Sequence, residues 1–306
     1  MDTRFTGLIP PVVTPFTQDG SVDLAGLDRV IEHLIAGGVN GLFLLGSSGE
    51  TAYLTDAERD AIIERAITTT AGRVPVLTGA IDTTANRVIE QARRAQAPGA
   101  DAVVATCPFY AINDAVEIAD HFRAIAAAID VPLFAYDVPV RLNGVKLGCD
   151  LLVQLGREGV LAGVKDSSGD DVAFRRLVAA NEAAGHPLAL LTGHECVVDG
   201  MLLLGSDGVV PGYANVDPRS YADIWQVAQR GDWEEARRIQ DRICAGFEIV
   251  YVPQGRSGDA SGIGAFKTAM QAIGIIDTNT MAFPVKAVQG DAKARVVAIV
   301  REQGLI

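Results

Sequence analysis

The chain has 306 residues, of which 49% are hydrophobic and only 6% aromatic, and it carries a net charge of -12 with a pI near 4.8. So acidic a balance argues against a nucleic-acid backbone or an anionic membrane surface as partner, and no apolar run approaches the ~20 residues that span a bilayer. An interior of Ala, Val, Leu and Ile suits buried parallel strands under a coat of helices, and one α/β barrel takes roughly 250 residues, so the length demands no second domain.

The N-terminal Met1-Asp2-Thr3-Arg4-Phe5 has no basic segment followed by an apolar stretch, which predicts a cytoplasmic protein. Beyond it, eight short apolar runs fall at 7–13, 41–45, 74–79, 102–106, 132–135, 161–164, 189–192 and 208–211. Helical periodicity fills the intervals at 24–36, 56–70, 83–97, 115–129, 150–156, 170–180 and 195–204. Thr55-Asp56-Ala57-Glu58 reads as a capping box, in which Thr55 accepts from the Glu58 amide. Strand-sized and helix-sized segments in alternation, eight times over, predict a (β/α)8 barrel of the TIM type.

Past the eighth run, 218–230, 233–249, 263–273 and 291–303 read as helices with no strand between them, and the Gly, Ser and Asp of 254–264 as a loop. The expected organisation is a barrel over 1–230 and a C-terminal helical extension over 231–306. Cys107, Cys149, Cys196 and Cys244 are widely spaced without a CxxC pair, so they are expected as buried free thiols rather than zinc ligands or disulfides.

In such a barrel, reactive groups gather at the C-terminal ends of the strands. Here those ends carry Gly46-Ser47-Ser48-Gly49-Glu50, Cys107-Pro108-Phe109-Tyr110, Tyr136-Asp137-Val138-Pro139, Lys165-Asp166-Ser167-Ser168 and Gly193-His194-Glu195. Lys165 carries most of the argument. The chain has only five lysines, and this one directly follows an apolar strand. In the barrel mouth desolvation disfavours an ammonium ion, and a neutral amine there can attack a carbonyl. The plainer alternative pairs Lys165 with Asp166 or Asp170 at the surface. Ser47 and Ser48 between glycines offer hydroxyls and amides to a carboxylate, or form an ordinary turn. Tyr136 and Tyr110 are phenols able to move protons, or buried rings with satisfied hydroxyls. His194 with Glu195 lacks further ligands at metal spacing, so no metal is expected and His194 is assigned to the distal part of a substrate. The glycines of 205–212 suit a phosphate but have no Arg or Lys beside them.

Taken together, these motifs resemble the dihydrodipicolinate synthase and N-acetylneuraminate lyase superfamily along nearly the whole chain. Pro11-Val12-Val13-Thr14-Pro15-Phe16, Gly46-Ser47-Ser48-Gly49-Glu50, Tyr136-Asp137-Val138-Pro139 and Gly163-Val164-Lys165-Asp166 match its Pro-x-x-Thr-Pro-Phe, Gly-x-x-Gly-Glu, Tyr-x-x-Pro and Schiff-base lysine motifs, in that order. The resemblance implies a class I aldolase or lyase that needs no cofactor and joins or separates pyruvate, or another 2-oxo acid, and an aldehyde. It assigns Lys165, Tyr136, Ser47 and Tyr110 to catalysis. Ser48 and Gly49 go to the substrate carboxylate, Val210 to the pyruvyl group, and Gly193 with His194 to the distal pocket. It also implies a homotetramer, a dimer of dimers, in which Tyr110 enters a neighbouring subunit's site to join a relay through Ser47 to Tyr136.

Dihydrodipicolinate synthases carry Thr-Thr where this chain has Ser47-Ser48, and Asn where it has Asp137. Arg141 stands where they keep an arginine for a second carboxylate, whereas Gly144-Val145-Lys146-Leu147 is similar to the lyases. Lys165-Asp166-Ser167-Ser168-Gly169-Asp170 resembles the sugar-acid aldolases, which cleave 2-keto-3-deoxy acids. That activity is the expectation. The alternatives are a synthase condensing pyruvate with aspartate semialdehyde, a non-catalytic 2-oxo acid binding protein, and a phosphate-handling barrel.

Overall fold

The computed structural model describes residues 3–306; Met1 and Asp2, part of the N-terminal reading above, lie outside the described residues. Eight parallel strands form one sheet: β1 (Gly7–Leu8), β2 (Leu42–Leu44), β3 (Val76–Gly79), β4 (Ala102–Thr106), β5 (Leu133–Asp137), β6 (Gly163–Asp166), β7 (Ala189–Thr192) and β8 (Gly208–Val209). Their order is β1-β8-β7-β6-β5-β4-β3-β2. The ring is completed by a parallel bridge from Pro11 to Phe43, where the Val12 amide donates to the Phe43 carbonyl at 2.8 Å and the Phe43 amide to Pro10 at 3.0 Å. The chain folds as a (β/α)8 TIM barrel. Its strands read as unbroken apolar runs because helices cover one face and the barrel interior the other, leaving no solvated side to alternate with.

Helices α1 (Leu24–Ala36), α2 (Asp56–Thr70), α3 (Ala85–Gln96), α4 (Ala115–Ala126), α5 (Cys149–Arg157), α6 (Asp171–Ala183), α7 (Val198–Leu204) and α8 (Pro218–Gln229) follow the strands in turn. At α2 the capping box forms as expected: the Glu58 amide reaches the Thr55 hydroxyl and the Glu58 carboxylate accepts from the Thr55 amide at 2.8 Å. A second box, Asp114 with Glu117, opens α4. After α8 come α9 (Trp233–Phe247), α10 (Gly258–Ile273) and α11 (Gly290–Glu302). Ile239, Ile243, Phe266, Met270, Val296 and Val300 of these helices share one apolar core with α1, α2 and α8.

Several boundaries depart from the sequence reading. The first run pairs with β8 only at Gly7 and Leu8, because Pro10 and Pro11 have no amide hydrogen to give a ladder. The expected loop at 254–264 ends early: Ser257 caps the Ala260 amide and α10 begins at Gly258, five residues before the expected start. The seventh helix begins at Val198 rather than 195, leaving His194 and Glu195 in the strand-to-helix turn. Cys107 is buried, but Cys149, Cys196 and Cys244 are partly exposed free thiols. No helix among the described residues is long and apolar enough to cross a membrane.

Candidate active site

β5 and β6 are neighbours, and their register sets Tyr136 opposite Lys165. Paired residues on adjacent strands project to the same face. Lys165 is accordingly buried at 5% exposure, its Nζ 4.2 Å from the centre of the Tyr136 ring and 4.8 Å from that of Phe43 on β2. The surface pairing with Asp166 or Asp170 does not form. Asp166 is held instead by Lys146 at 3.1 Å and by the amide and hydroxyl of Ser168 at 2.8 and 2.7 Å, while Asp170 caps α6.

The Tyr136 hydroxyl lies 3.3 Å from Ser47 Oγ, and the Ser167 hydroxyl lies close enough to favour its phenolate. Burial pushes this phenol up, but the Lys165 charge, the Ser47 and Ser167 hydroxyls and the Arg141 charge outweigh it, and the net shift is downward. A phenol so placed gives up its proton more readily than tyrosine in water.

The Gly46-to-Glu50 turn is held from three sides. The Gly49 and Glu50 amides donate back to Gly46 and Ser47 at 3.1 and 3.0 Å, so the Gly49 amide expected to face a carboxylate is already engaged. Among the described residues, the Ser47 and Ser48 amides remain without a carbonyl partner, which narrows the anion nest to these two residues and their hydroxyls. Thr14, from the Pro-x-x-Thr-Pro-Phe motif, donates to the Gly49 carbonyl at 2.8 Å. Glu50, itself fully buried, forms an ion pair with Lys267 of α10 and accepts from the Ala282 amide at 2.9 Å.

Tyr110 is 91% exposed with φ of 75°. A non-glycine residue in the left-handed region is held there at a cost, and within the single chain this ring makes no contact with Ser47 or Tyr136.

At the end of β7 the Gly193 amide donates to the Asp166 carbonyl at 2.7 Å, and a Cβ at Gly193 would fall on Ser167 Oγ. His194 and Glu195 part company. His194 Nε2 reaches Asp171 at 2.7 Å. The Glu195 carboxylate turns to the Gly212 and Tyr213 amides at 2.6 and 3.2 Å and the Tyr221 hydroxyl at 3.1 Å. Burial lifts Glu195 to about 7. With an acid already on the amides that open the turn after β8, that turn is unsuited to a phosphate. Val210 is buried, its amide bonded to the Thr192 carbonyl at 2.7 Å.

A cavity of about 290 Å³ opens beside Tyr136, lined by Ser47, Glu50, Tyr53, Thr106, Arg141 and Asp259 among others. Arg141, expected to face a substrate carboxylate, is ion-paired with Asp259 in the first turn of α10. Behind the strand ends, Lys146 pairs with buried Asp137 as well as Asp166. Burial raises Asp137 to about 6 despite that lysine. The acid at the Asn position of the synthases thus comes with its own counter-ion, from the lyase-like Gly144-Val145-Lys146-Leu147 stretch.

Sequence reasoning missed Phe43, Ser167, Lys146, Lys267 and Asp259. Ser167, two residues after Lys165 at a strand end, carried a local signal. Lys267 and Asp259 lie in the C-terminal helices, 217 and 118 residues from their partners, with no local pattern to mark them.

A sequence model of the dihydrodipicolinate synthetase family matches residues 4–303. The chain is 34% identical over 308 residues to a 4-hydroxy-tetrahydrodipicolinate synthase of Phenylobacterium zucineum, covering 100% of both. It is 28% identical to a probable 2-dehydro-3-deoxy-D-pentonate aldolase, YjhH, of Escherichia coli, covering 99% of both. Its fold superposes with a TM-score of 0.91 and 29% identity on YagE, a prophage protein of the dihydrodipicolinic acid synthase family from E. coli K12, solved with pyruvate; 99% of each chain is covered.

Proposed function

This chain belongs to the dihydrodipicolinate synthetase family and is a class I pyruvate-dependent lyase, and we propose that it cleaves, or forms, a 2-keto-3-deoxy sugar acid through a Schiff base on Lys165. The observation that carries the reading is the packing of the Lys165 amine against Tyr136, whose hydroxyl meets Ser47 at 3.3 Å. YagE, solved with pyruvate, and YjhH, with its pentonate-aldolase name, support the substrate class.

In this scheme neutral Lys165 Nζ attacks C2 of the 2-oxo acid, whose carboxylate rests on the Ser47 and Ser48 amides and hydroxyls. The carbinolamine hydroxyl takes the Tyr136 proton and leaves as water, so that a protonated imine and a Tyr136 phenolate remain. Tyr136 takes the proton of the C4 hydroxyl; the C3–C4 bond breaks, its electron pair flows to the imine nitrogen, and an aldehyde departs from an enamine. Protonation at C3 and hydrolysis return pyruvate and the amine. Val210 borders the pyruvyl group, and Gly193 with His194 the distal end. The downward shift of the Tyr136 phenol favours the loss of its proton.

The strained, exposed Tyr110 supports a second element of the proposal, that it completes the relay in a neighbouring copy within a dimer of dimers. A second substrate reading, condensation of pyruvate with aspartate semialdehyde, is favoured by the name of the Phenylobacterium relative. A panel of 2-keto-3-deoxy acids scored by pyruvate release separates the two: turnover is expected on the panel, and turnover confined to pyruvate with aspartate semialdehyde would overturn the sugar-acid reading.

A further inference from the structure

The cavity wall has one cation and two acids among its described residues, and all three are engaged. Glu50 is matched by Lys267 behind it. Arg141, which follows β5, pairs with Asp259, whose side chain is only 12% exposed. The other Asp259 oxygen accepts from the Tyr53 hydroxyl at 3.0 Å. Asp259 is fixed from below as well, since it sits in the first turn of α10 behind the Ser257 cap. The wall is therefore electrically balanced before any substrate arrives, and what it offers a ligand is hydroxyl groups, those of Ser47, Tyr53 and Tyr136.

A carboxylate entering such a chamber has to displace Asp259 from Arg141 or lie beside it as a second negative charge. Either course leaves one of the two anions without its cation, on a wall where the Asp259 side chain is 12% and the Arg141 side chain 44% exposed. An uncharged hydroxyl group meets no such obstacle. We propose that Asp259 is a specificity-determining residue which, by occupying Arg141, commits the chamber beside Tyr136 to uncharged, hydroxyl-bearing aldehydes and turns away aldehydes with a second carboxylate. The inference rests on the Lys165 imine reading and adds to it which half of the substrate is discriminated, and by what.

The test compares kcat/KM for condensation of pyruvate with glyceraldehyde and with succinic semialdehyde, in the full chain and in Asp259→Asn. The amide keeps an oxygen for Tyr53 and removes the charge from Arg141. The unaltered chain should prefer glyceraldehyde. The variant should shift the ratio toward succinic semialdehyde by about tenfold or more, the scale of one charge-assisted hydrogen bond. Arg141→Met, which leaves Asp259 unopposed, should shift it the other way, so the idea stays testable if one variant folds poorly. A preference for succinic semialdehyde in the unaltered chain, or one ratio shared by all three proteins, overturns the proposal. Borohydride trapping with pyruvate alone, run alongside, separates the two levels: trapping with an unmoved ratio removes the Asp259 inference alone, and no trapping removes the imine reading together with it.

Discussion

Replacing Lys267 by Met tests how the C-terminal helices support the site. Lys267 and Glu50 are both fully buried. Lys267 also donates to the Thr280 carbonyl at 3.1 Å and stands 4.3 Å over the Phe16 ring. Burial pushes Glu50 up and Lys267 down to about 8, and the attraction between the two opposes both shifts. Met preserves the volume, which keeps the packing loss small, but it leaves Glu50 with the Ala282 amide as its remaining partner. Breaking one side of a buried pair costs about 3–5 kcal/mol, and for a chain of this size that lowers the Tm by roughly 10 °C. The loss should depend on pH. An unpaired buried Glu50 keeps its proton in the folded state at a pH where the unfolded chain has released it, from about 4.3 upward. Stability of the variant then falls with rising pH through that window, by about 1.4 kcal/mol per unit. The deficit against the parent is therefore largest near pH 8 and shrinks toward pH 5. Thermal unfolding followed by circular dichroism at pH 5, 6, 7 and 8 measures it. A deficit under about 1 kcal/mol, or one of the same size at every pH, would refute the argument.

Two further predictions concern the chemistry. Tyr136→Phe should still allow imine formation with pyruvate but slow carbon–carbon cleavage by roughly 10²–10⁴, measured by borohydride trapping and single-turnover kinetics on the same preparation; unchanged turnover would remove the phenol from the scheme. Gly193→Ala should displace the Ser167 hydroxyl, which helps hold the Tyr136 phenol low, lowering kcat by roughly 5–10-fold, the scale of one hydrogen bond, with little change in Tm. A Ser167→Ala enzyme as active as the parent would contradict that link.

The barrel was legible because its repeating unit is local: a buried strand must be an unbroken apolar run, and a helix must show its period and its caps. Lys165 and Tyr136 were legible for the same reason, since each ends such a run and strand ends form the barrel mouth. What escaped depends on contacts between distant segments. α10 begins among Gly258, Gly262 and Gly264, a sequence with poor intrinsic helicity, and it is stabilised by packing of Ile263, Phe266 and Met270 into the shared core. Its Asp259 and Lys267 carry no periodic mark, yet the first neutralises Arg141 and the second holds the Ser47 turn through Glu50. Arg141 shows the consequence. Its position suggested a free cation, and its partner lies 118 residues further along the chain.

The central claim is that the Lys165 amine captures a 2-oxo acid as an imine. Incubation with pyruvate and sodium borohydride, followed by peptide mass analysis, tests it most directly. The account predicts irreversible inactivation, with one reduced pyruvyl group on the peptide containing Lys165 and none in a Lys165→Ala protein that folds normally. Persistent activity after this treatment, or the adduct on another lysine, would contradict it.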